Sequence, residues 1–494
     1  MRRVAGLWHL PLITLALVAV GSSEVRARVG PTIRELVEVA DIESLAASPD
    51  GRKIAFRVQR ASVAANSYRI DWYVGDVATG RVRRVADGGK PIYTNGLVET
   101  EAPVWSPDGG FFYRRALVDG AIGIWRTAAD GSGSRLVIGG PANVESLAGD
   151  PGGQSLSYVT GPTRAQIEAA EQDEYDNGIL IDPSVDTLQG LYRGGWEKGR
   201  LASERLTGQW YARAGLLWRV PRVRHRLDLM VMRELGSETI TVQEPKALTQ
   251  SYTPPPMTAR SRTGGVVTVL GKSDEQYLAA TDSRGAKAVC KIGARLGRVS
   301  WIGWRPGSDD VLFARRDDHF RQAPYLWNIR SGALRRLPGD ERQLSGGSSA
   351  SEPCAITQSE ALCVEAGPVS PPRLVRINLD GDSEQTLFDP NVNLRKEPRP
   401  QVEQLTYRLG DGRTVTGTLL FRPGPPPSRA PLFVTYYSCG GYLRGGTGNA
   451  LPLEPLVDSG FVVACLNIVP FTAWGEGPDR DRDALASVST LLPR

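Results

Sequence analysis

The amino-acid sequence predicts an all-β propeller followed by the incomplete opening of an α/β sheet, and three observations carry that expectation. Units that begin with a tight SPDG-type turn recur, with starts at Ser48, Ser106 and Asp150 that lie 58 and 44 residues apart, a repeat length suited to four-stranded blades. From Gln401 the texture changes to continuous apolar segments, PLFVTYYSC and GFVVACLNIVP, of the kind buried on both faces of a parallel sheet. The length of 494 residues allows about three domains, or two where one is a large β-architecture.

Taken in order, residues 1–27 read as a signal peptide: two arginines, an apolar run from Leu7 to Val20, then small residues, with a cut after Gly21 or near Ala27. The run is shorter than the roughly 20 apolar residues that a spanning helix needs. The mature chain is therefore expected in an exported, periplasmic location without a stable membrane anchor. Residues 31–45 are expected to form an N-terminal helical segment, with Ile33, Leu36, Val37 and Ala40 on one face behind a Thr32 cap.

Residues 46–400 are assigned to the propeller. ASPDGRKIAFRV leads to WYVGDVATGRVRRVADGG, and APVWSPDGGFFYRRA leads to AIGIWRTAADGSGSRLVIGG. A third copy opens LAGDPGGQSLSYVTG, a degraded one runs WIGWRPGSDDVLFARRDD to YLWNIRSGALRRLPGD, and PRLVRINLDGDSEQTLFD forms a further hairpin. Each unit is a β-turn opening a strand of alternating apolar residues, then a second strand pair around a glycine-containing turn. Between Gly161 and Val289 the pattern is interrupted by a helix, TRAQIEAAEQDEYDNG, and a basic stretch, YARAGLLWRVPRVRHRLDL, both expected as insertions.

Residues 401–494 begin with the hairpin VEQLTYRLGDGRTVTGTLLFRPG and a proline-rich linker, GPPPSRA. An apolar strand, a glycine-rich loop, a helix around EPLVDSG, a second apolar strand and a final helix follow. Ala484, Leu485, Val488, Leu491 and Leu492 are expected on the packed face of that last helix.

Composition excludes several function classes. Fifty-nine basic and 54 acidic residues leave a formal charge of +5, too little for a dedicated nucleic-acid binder. The five cysteines, Cys290, Cys354, Cys363, Cys439 and Cys465, lack metal-site spacing, and of the three histidines His9 is expected to leave with the signal, so that His225 and His319 alone cannot complete a zinc cluster. No metal and no cofactor are expected. In an oxidising compartment, Cys354 and Cys363, in EPCAITQSEALCVEA, are a candidate disulfide across a hairpin.

Two strings carry a resemblance to a known family: ETEAPVWSPDGGFFYRRALVDGAIGIWRTAADGSGSR in the repeat region and TYYSCGGYLRGGTGN after the first long strand of the C-terminal part. From about Pro31 to its end the chain resembles the prolyl oligopeptidase family of serine peptidases, and within it the bacterial lasso peptide isopeptidases. The resemblance implies a TolB-like or dipeptidyl peptidase-like propeller joined to the incomplete start of an α/β-hydrolase domain. It implies hydrolysis of the isopeptide bond that joins an N-terminal amine to an Asp or Glu side chain, with a lasso peptide or another small peptide as partner.

Cleaving an unactivated amide takes a serine activated by a histidine, an acid to orient that histidine, and donors for the oxyanion. No G-x-S-x-G elbow occurs; the nearest string, GQSLS around Ser155, lies in the propeller, and no histidine follows His319. The triad is therefore expected beyond residue 494, by C-terminal truncation, which makes the chain alone inactive and its segment after Gln401 poorly stable. The resemblance leaves one part of the site in place. The loop residues Cys439, Gly440 and Gly441 are oxyanion-loop candidates, glycines allowing close backbone approach. Cys439 stands where other branches carry Tyr, so Tyr437 or Tyr442 is an alternative donor, and Arg444 is open between meeting a substrate carboxylate and solvating the loop.

Weaker signals are an acidic cluster, Glu168, Glu171, Asp173 and Glu174, open between the substrate-amine site that the resemblance to dipeptidyl peptidases implies and ordinary solvated helix charge, and a basic strand face, Arg219, Arg222, Arg224 and Arg226, open between attracting an acidic substrate tail and ordinary exposed-strand charge, the blander account being favoured for both. The rival functions are a general dipeptidyl or oligopeptidase of the same family and a non-catalytic exported propeller that only binds.

Overall fold

The computed structural model describes residues 27–94, 97–150, 153–178, 194–197, 200–203, 217, 220–241, 256–271, 276–291, 298–339, 342–347, 349–425, 429–437, 439–442, 451–467 and 480–491. The signal-peptide reading of residues 1–27 lies almost wholly outside them.

Six propeller sheets occur among the described residues, spanning 40–87, 104–138, 142–240, 258–291, 298–336 and 343–388 (blades 1 to 6). Each is an antiparallel meander of four strands, with a short fifth strand, Ala355–Ile356, added to blade 6. The recurring turn has one physical cause. Ser48 Oγ donates to Asp50 Oδ1 at 2.6 Å and accepts the Lys53 N–H at 2.9 Å, while Gly51 takes a φ of +71°. Ser106, Asp108 and Gly109 repeat it, with a 2.6 Å Ser106–Asp108 bond and a φ of +64°. Asp150 takes the serine's place in blade 3, its carboxylate accepting the Ser155 N–H at 2.7 Å.

Alternating apolar residues of neighbouring blades meet in seams. Trp72, Trp105 and Phe112 join blades 1 and 2, Ile124, Leu156 and Leu227 blades 2 and 3, and Val311, Phe313 and Trp327 pack with Val267 and Leu278 between blades 4 and 5. Trp301 bridges blades 5 and 6, its indole N–H donating to the Leu344 carbonyl at 2.9 Å. Ile42 and Phe56 of blade 1 pack on Leu362 and Leu374 of blade 6, so the last blade closes directly on the first. Asn391 seals this joint: it accepts the Ala40 N–H at 2.9 Å and donates to the carbonyls of Ala40 and Pro372 at 2.8 and 2.9 Å.

The N-terminal helical segment is shorter than its periodicity suggests. Thr32 caps it in a full capping box with Glu35, but the helix covers only Ile33–Val37. Ala40–Ala47 is instead the first strand of blade 1, because pairing with Lys53–Ser62 and burial against blade 6 override the local helical pattern. In blade 3 the helix Arg164–Asn177 and the hairpin of Gly194–Glu197 with Arg200–Ser203 are inserted between two neighbouring strands, Ser155–Thr163 and Arg222–Asp228.

Beyond the propeller lies a four-stranded mixed sheet, in the order Gln401–Arg408, Thr414–Phe421, Val462–Asn467, Leu432–Tyr437. Its last two strands are parallel, with the crossover carrying the helix Leu453–Asp458. The helix Arg480–Leu491 packs Ala486, Val488 and Leu491 on Tyr407, Val415 and Leu466. It is also held by polar contacts: Arg413 clasps both oxygens of Asp483 at 2.9 and 2.6 Å, and the Tyr407 hydroxyl donates to the Ser487 carbonyl at 2.7 Å. Leu485, expected on the packed face, is 69% exposed. The two polar clasps turn Asp483 and Ser487 inward, and Leu492 lies outside the described residues.

Candidate functional site

The candidate loop leaves the C-terminal end of the strand Leu432–Tyr437, whose Tyr437 pairs in register with Asn467 of the parallel neighbour. Residues at the carboxyl ends of parallel strands face the crevice where ligands of α/β sheets bind. Two residues apart on one strand, Cys465 and Asn467 share a face, and both hold Cys439. Cys465 forms a disulfide with it, and Asn467 Oδ1 accepts its N–H at 2.8 Å. Cys439 is thereby removed from the set of oxyanion donors. Its N–H is donated within the protein, its sulfur is covalently engaged, and the residue is only 5% exposed.

Of the two glycines, Gly441 is required by the propeller, whereas Gly440 only lies close to a flexible side chain of it. A Cβ on Gly440 would lie 2.9 Å from Nε2 of Gln343 in blade 6. Gly441 takes a φ of +70°, and a Cβ there would lie 2.3 Å from the Gly367 carbonyl oxygen. The loop is pressed onto the Gly367–Pro368 turn, and Tyr442 N–H donates to that same Gly367 carbonyl at 3.1 Å. Among the described residues, the N–H groups of Gly440 and Gly441 make no hydrogen bond. Both glycines are buried.

The alternative side-chain donor, Tyr442, is committed elsewhere. Its hydroxyl donates to Glu454 Oε1 and accepts from Arg399 Nη2 at 2.9 Å, while Arg399 pairs with Glu454 at 2.8 Å and donates from Nε to the Val369 carbonyl at 2.9 Å. Burial, reinforced by the Glu454 carboxylate, pushes the Tyr442 hydroxyl far above its ordinary pKa, so it stays a neutral donor to Glu454. Burial likewise raises Glu454, to about 7, against the opposing pull of Arg399 and the Tyr442 hydrogen bond. This buried cluster joins the loop, the helix Leu453–Asp458 and the linker from blade 6. The N-terminal segment covers it: Gly30 packs against the Glu454 side chain and donates to the Pro398 carbonyl at 2.7 Å, and Val29 N–H donates to Asp458 at 2.9 Å. None of Arg399, Glu454 or Asn467 was singled out by sequence reasoning; the one available signal was a run of charged residues around a predicted domain boundary.

The remaining candidates lie in the propeller. Cys354 and Cys363 are bonded across the Ala355–Leu362 register of blade 6, with Cα atoms 4.8 Å apart. Ser155, of the GQSLS string, is buried in blade 3 and its hydroxyl accepts from Arg226 at 3.3 Å. Arg222 pairs with Glu145 at 3.1 Å and Arg224 with Glu238 at 2.5 Å, so this basic strand is matched by its neighbours. Glu168 and Asp173 ride the inserted helix, where Asp173 accepts from Asn177 at 2.7 Å. Arg444, Arg219 and the side chains of Tyr437, Glu171 and Glu174 lie outside the described residues. His225 stacks on Tyr158 in blade 3, whereas His319, on a blade 5 loop, meets Thr406 Oγ1 of the C-terminal sheet at 3.0 Å.

No family model matches the chain. Lasso peptide isopeptidase AtxE2 of Asticcacaulis excentricus is 27% identical over 460 residues, covering 87% of this chain and 61% of the relative. The chain thus spans about three fifths of that curated relative's length. Among solved structures, AtxE2 isopeptidase with Astexin3-dC4 bound has a TM-score of 0.71 at 23% identity, covering 94% of this chain and 72% of the other. Its apo form has a TM-score of 0.68 at 23% identity, covering 94% and 73%. An acylaminoacyl peptidase of Pyrococcus horikoshii has a TM-score of 0.56 at 11% identity, covering 94% and 72%. These structural likenesses show a shared fold in which a propeller is joined to a further domain.

Proposed function

We propose that this chain is part of an exported, periplasmic serine hydrolase that opens the isopeptide bond closing the ring of a lasso peptide, with the catalytic serine, acid and histidine supplied by sequence beyond residue 494. The observation that carries this reading is the 27% identity to a lasso peptide isopeptidase across 87% of the chain. Three features support it. The four-stranded mixed sheet, with its parallel pair and helical crossover, is compatible with the start of an α/β-hydrolase domain. The chain contains neither G-x-S-x-G nor a histidine after His319. The Cys439–Tyr442 loop follows the carboxyl end of a parallel strand, and among the described residues its Gly440 and Gly441 N–H groups make no hydrogen bond.

In the proposed reaction the serine oxygen attacks the isopeptide carbonyl and its proton passes to the histidine. The carbonyl oxygen gains negative charge and accepts hydrogen bonds, for which the N–H groups of Gly440 and Gly441 are the candidate donors. The histidine then protonates the leaving amine, and water releases the acyl group as a free Asp or Glu side chain. The 494 residues alone are expected to lack hydrolytic activity.

The test is to read the DNA past codon 494 in all frames for G-x-S-x-G followed by Asp and His, and then to incubate the completed enzyme with a lasso peptide and with linear peptides. Ring opening of the lasso peptide supports the proposal. Cleavage of linear peptides alone points to a general oligopeptidase, and unrelated downstream sequence points to a binding propeller.

A further inference from the structure

We propose that Asn467 is a positioning residue that keys the candidate oxyanion loop to the propeller, so that docking of the blade 5 loop and correct placement of Cys439–Tyr442 are one event. The oxyanion role of the loop rests on the function proposed above; the mechanical link does not. Asn467 is 3% exposed, and its side chain is used at both ends. Oδ1 accepts the Cys439 N–H at 2.8 Å, while Nδ2 donates to Thr416 Oγ1 at 3.1 Å and to the Asp318 carbonyl at 3.4 Å. Thr416 Oγ1 in turn donates to the same Asp318 carbonyl at 2.6 Å. That carbonyl belongs to the loop between the second and third strands of blade 5. The loop is braced internally by His319 and Arg321 N–H donating to Asp317 Oδ1 at 3.0 and 2.9 Å. One propeller carbonyl thus receives two donors from the C-terminal sheet, and one of those donors belongs to the amide that orients the loop.

Withdrawing the blade 5 loop would leave two buried donors, Thr416 Oγ1 and Asn467 Nδ2, without their shared acceptor. A primary amide satisfies a lost acceptor by rotating, and rotation takes Oδ1 away from Cys439. The disulfide to Cys465 tethers the Cys439 side chain but leaves its peptide plane free to turn. Asn467 fixes the direction of the Cys439 N–H, where the loop begins, and the Gly367 turn holds its far end at Gly441 and Tyr442.

The test is hydrogen–deuterium exchange on the 494-residue chain. Asn467→Ala should speed exchange of Cys439 and, together with it, of His319, Phe320 and Arg321, each by about tenfold, as expected for loss of a buried hydrogen bond. Asn467→Asp keeps an acceptor for Cys439 but has no donor for Asp318. It should restore protection at Cys439 and leave the blade 5 amides fast. Thr416→Val, a near-isosteric change that leaves Asn467 in place but removes one of its acceptors and one donor to Asp318, should speed the blade 5 amides and, through Asn467, Cys439 with them; it serves if Asn467→Ala does not fold, and a Cys439 that stays protected while blade 5 loosens would count against the link. Unchanged blade 5 amides in these variants, or equal effects of Asn467→Ala and Asn467→Asp at Cys439, would overturn the proposal. Amide exchange reads the link without substrate, so its outcome is separate from success or failure of the peptide assay.

Discussion

The propeller and the C-terminal sheet are held by different kinds of contact. The propeller curls on itself until blade 6 packs against blade 1, and its seams are apolar and aromatic. The mixed sheet instead has outer strands at Gln401–Arg408 and Leu432–Tyr437, and it meets the propeller through polar points, at Asp318, His319, Gly367 and Arg399, beside smaller apolar contacts of Tyr442 with Val39 and Ala366 and of Val369 with Leu420 and Leu453. Apolar seams make a rigid base whose energy is spread over many contacts. Polar points are local and directional, which suits the placement of a loop, and each one can be broken singly.

Four changes test this contrast. Trp301→Ala opens a cavity in a seam and removes the bond to Leu344, and is expected to cost about 3–5 kcal/mol, read as a fall in thermal midpoint of the whole propeller. Loss confined to the C-terminal segment would break the contrast. Second, the Glu454 carboxyl is raised to about 7 in the folded state, against an ordinary value of 4.5. The folded protein therefore binds more protons than the unfolded chain between those values. The stability this group contributes is fully present below pH 4.5 and lost as pH rises through about 7, on the order of 3 kcal/mol. Denaturant titrations across that window should show the loss, and Glu454→Gln should flatten it.

Third, replacing Cys354 and Cys363 by serine should lower propeller stability by about 2 kcal/mol, since the loop they close is short; the denaturation midpoint reads it. Fourth, Arg413→Ala leaves the Asp483 carboxylate without its clasp. Because the guanidinium is partly solvated, the expected cost is about 1–2 kcal/mol. Limited proteolysis should then cut within Arg480–Leu491 while the propeller stays intact. Equal resistance of that helix in wild type and variant would show that its apolar face alone holds it.

What was legible in the sequence was what local chemistry decides. The Ser48 and Ser106 turns, the Thr32 cap and the helix Arg164–Asn177 each depend on residues within a few positions of one another. The end of the first helix was not legible, because partners in blades 1 and 6 decide that Ala40 onward is strand. The Cys354–Cys363 pair lies across one short hairpin and was readable. Cys439–Cys465 was not, because two parallel strands and a crossover bring together residues 26 apart. The glycine pair was read for its freedom of approach, and the structure adds that the approaching group is the propeller's Gly367 turn. Asn467, Arg399 and Glu454 carry no local signal; their roles come from elements that meet only in the folded chain.

The proposed activity is tested most directly by mass spectrometry of a lasso peptide incubated with the 494-residue chain and, separately, with the enzyme completed by its downstream frame. The account predicts one added water and an opened ring with the completed enzyme only. Ring opening by the 494 residues alone, or an intact lasso peptide with the completed enzyme while linear peptides are cut, would contradict it.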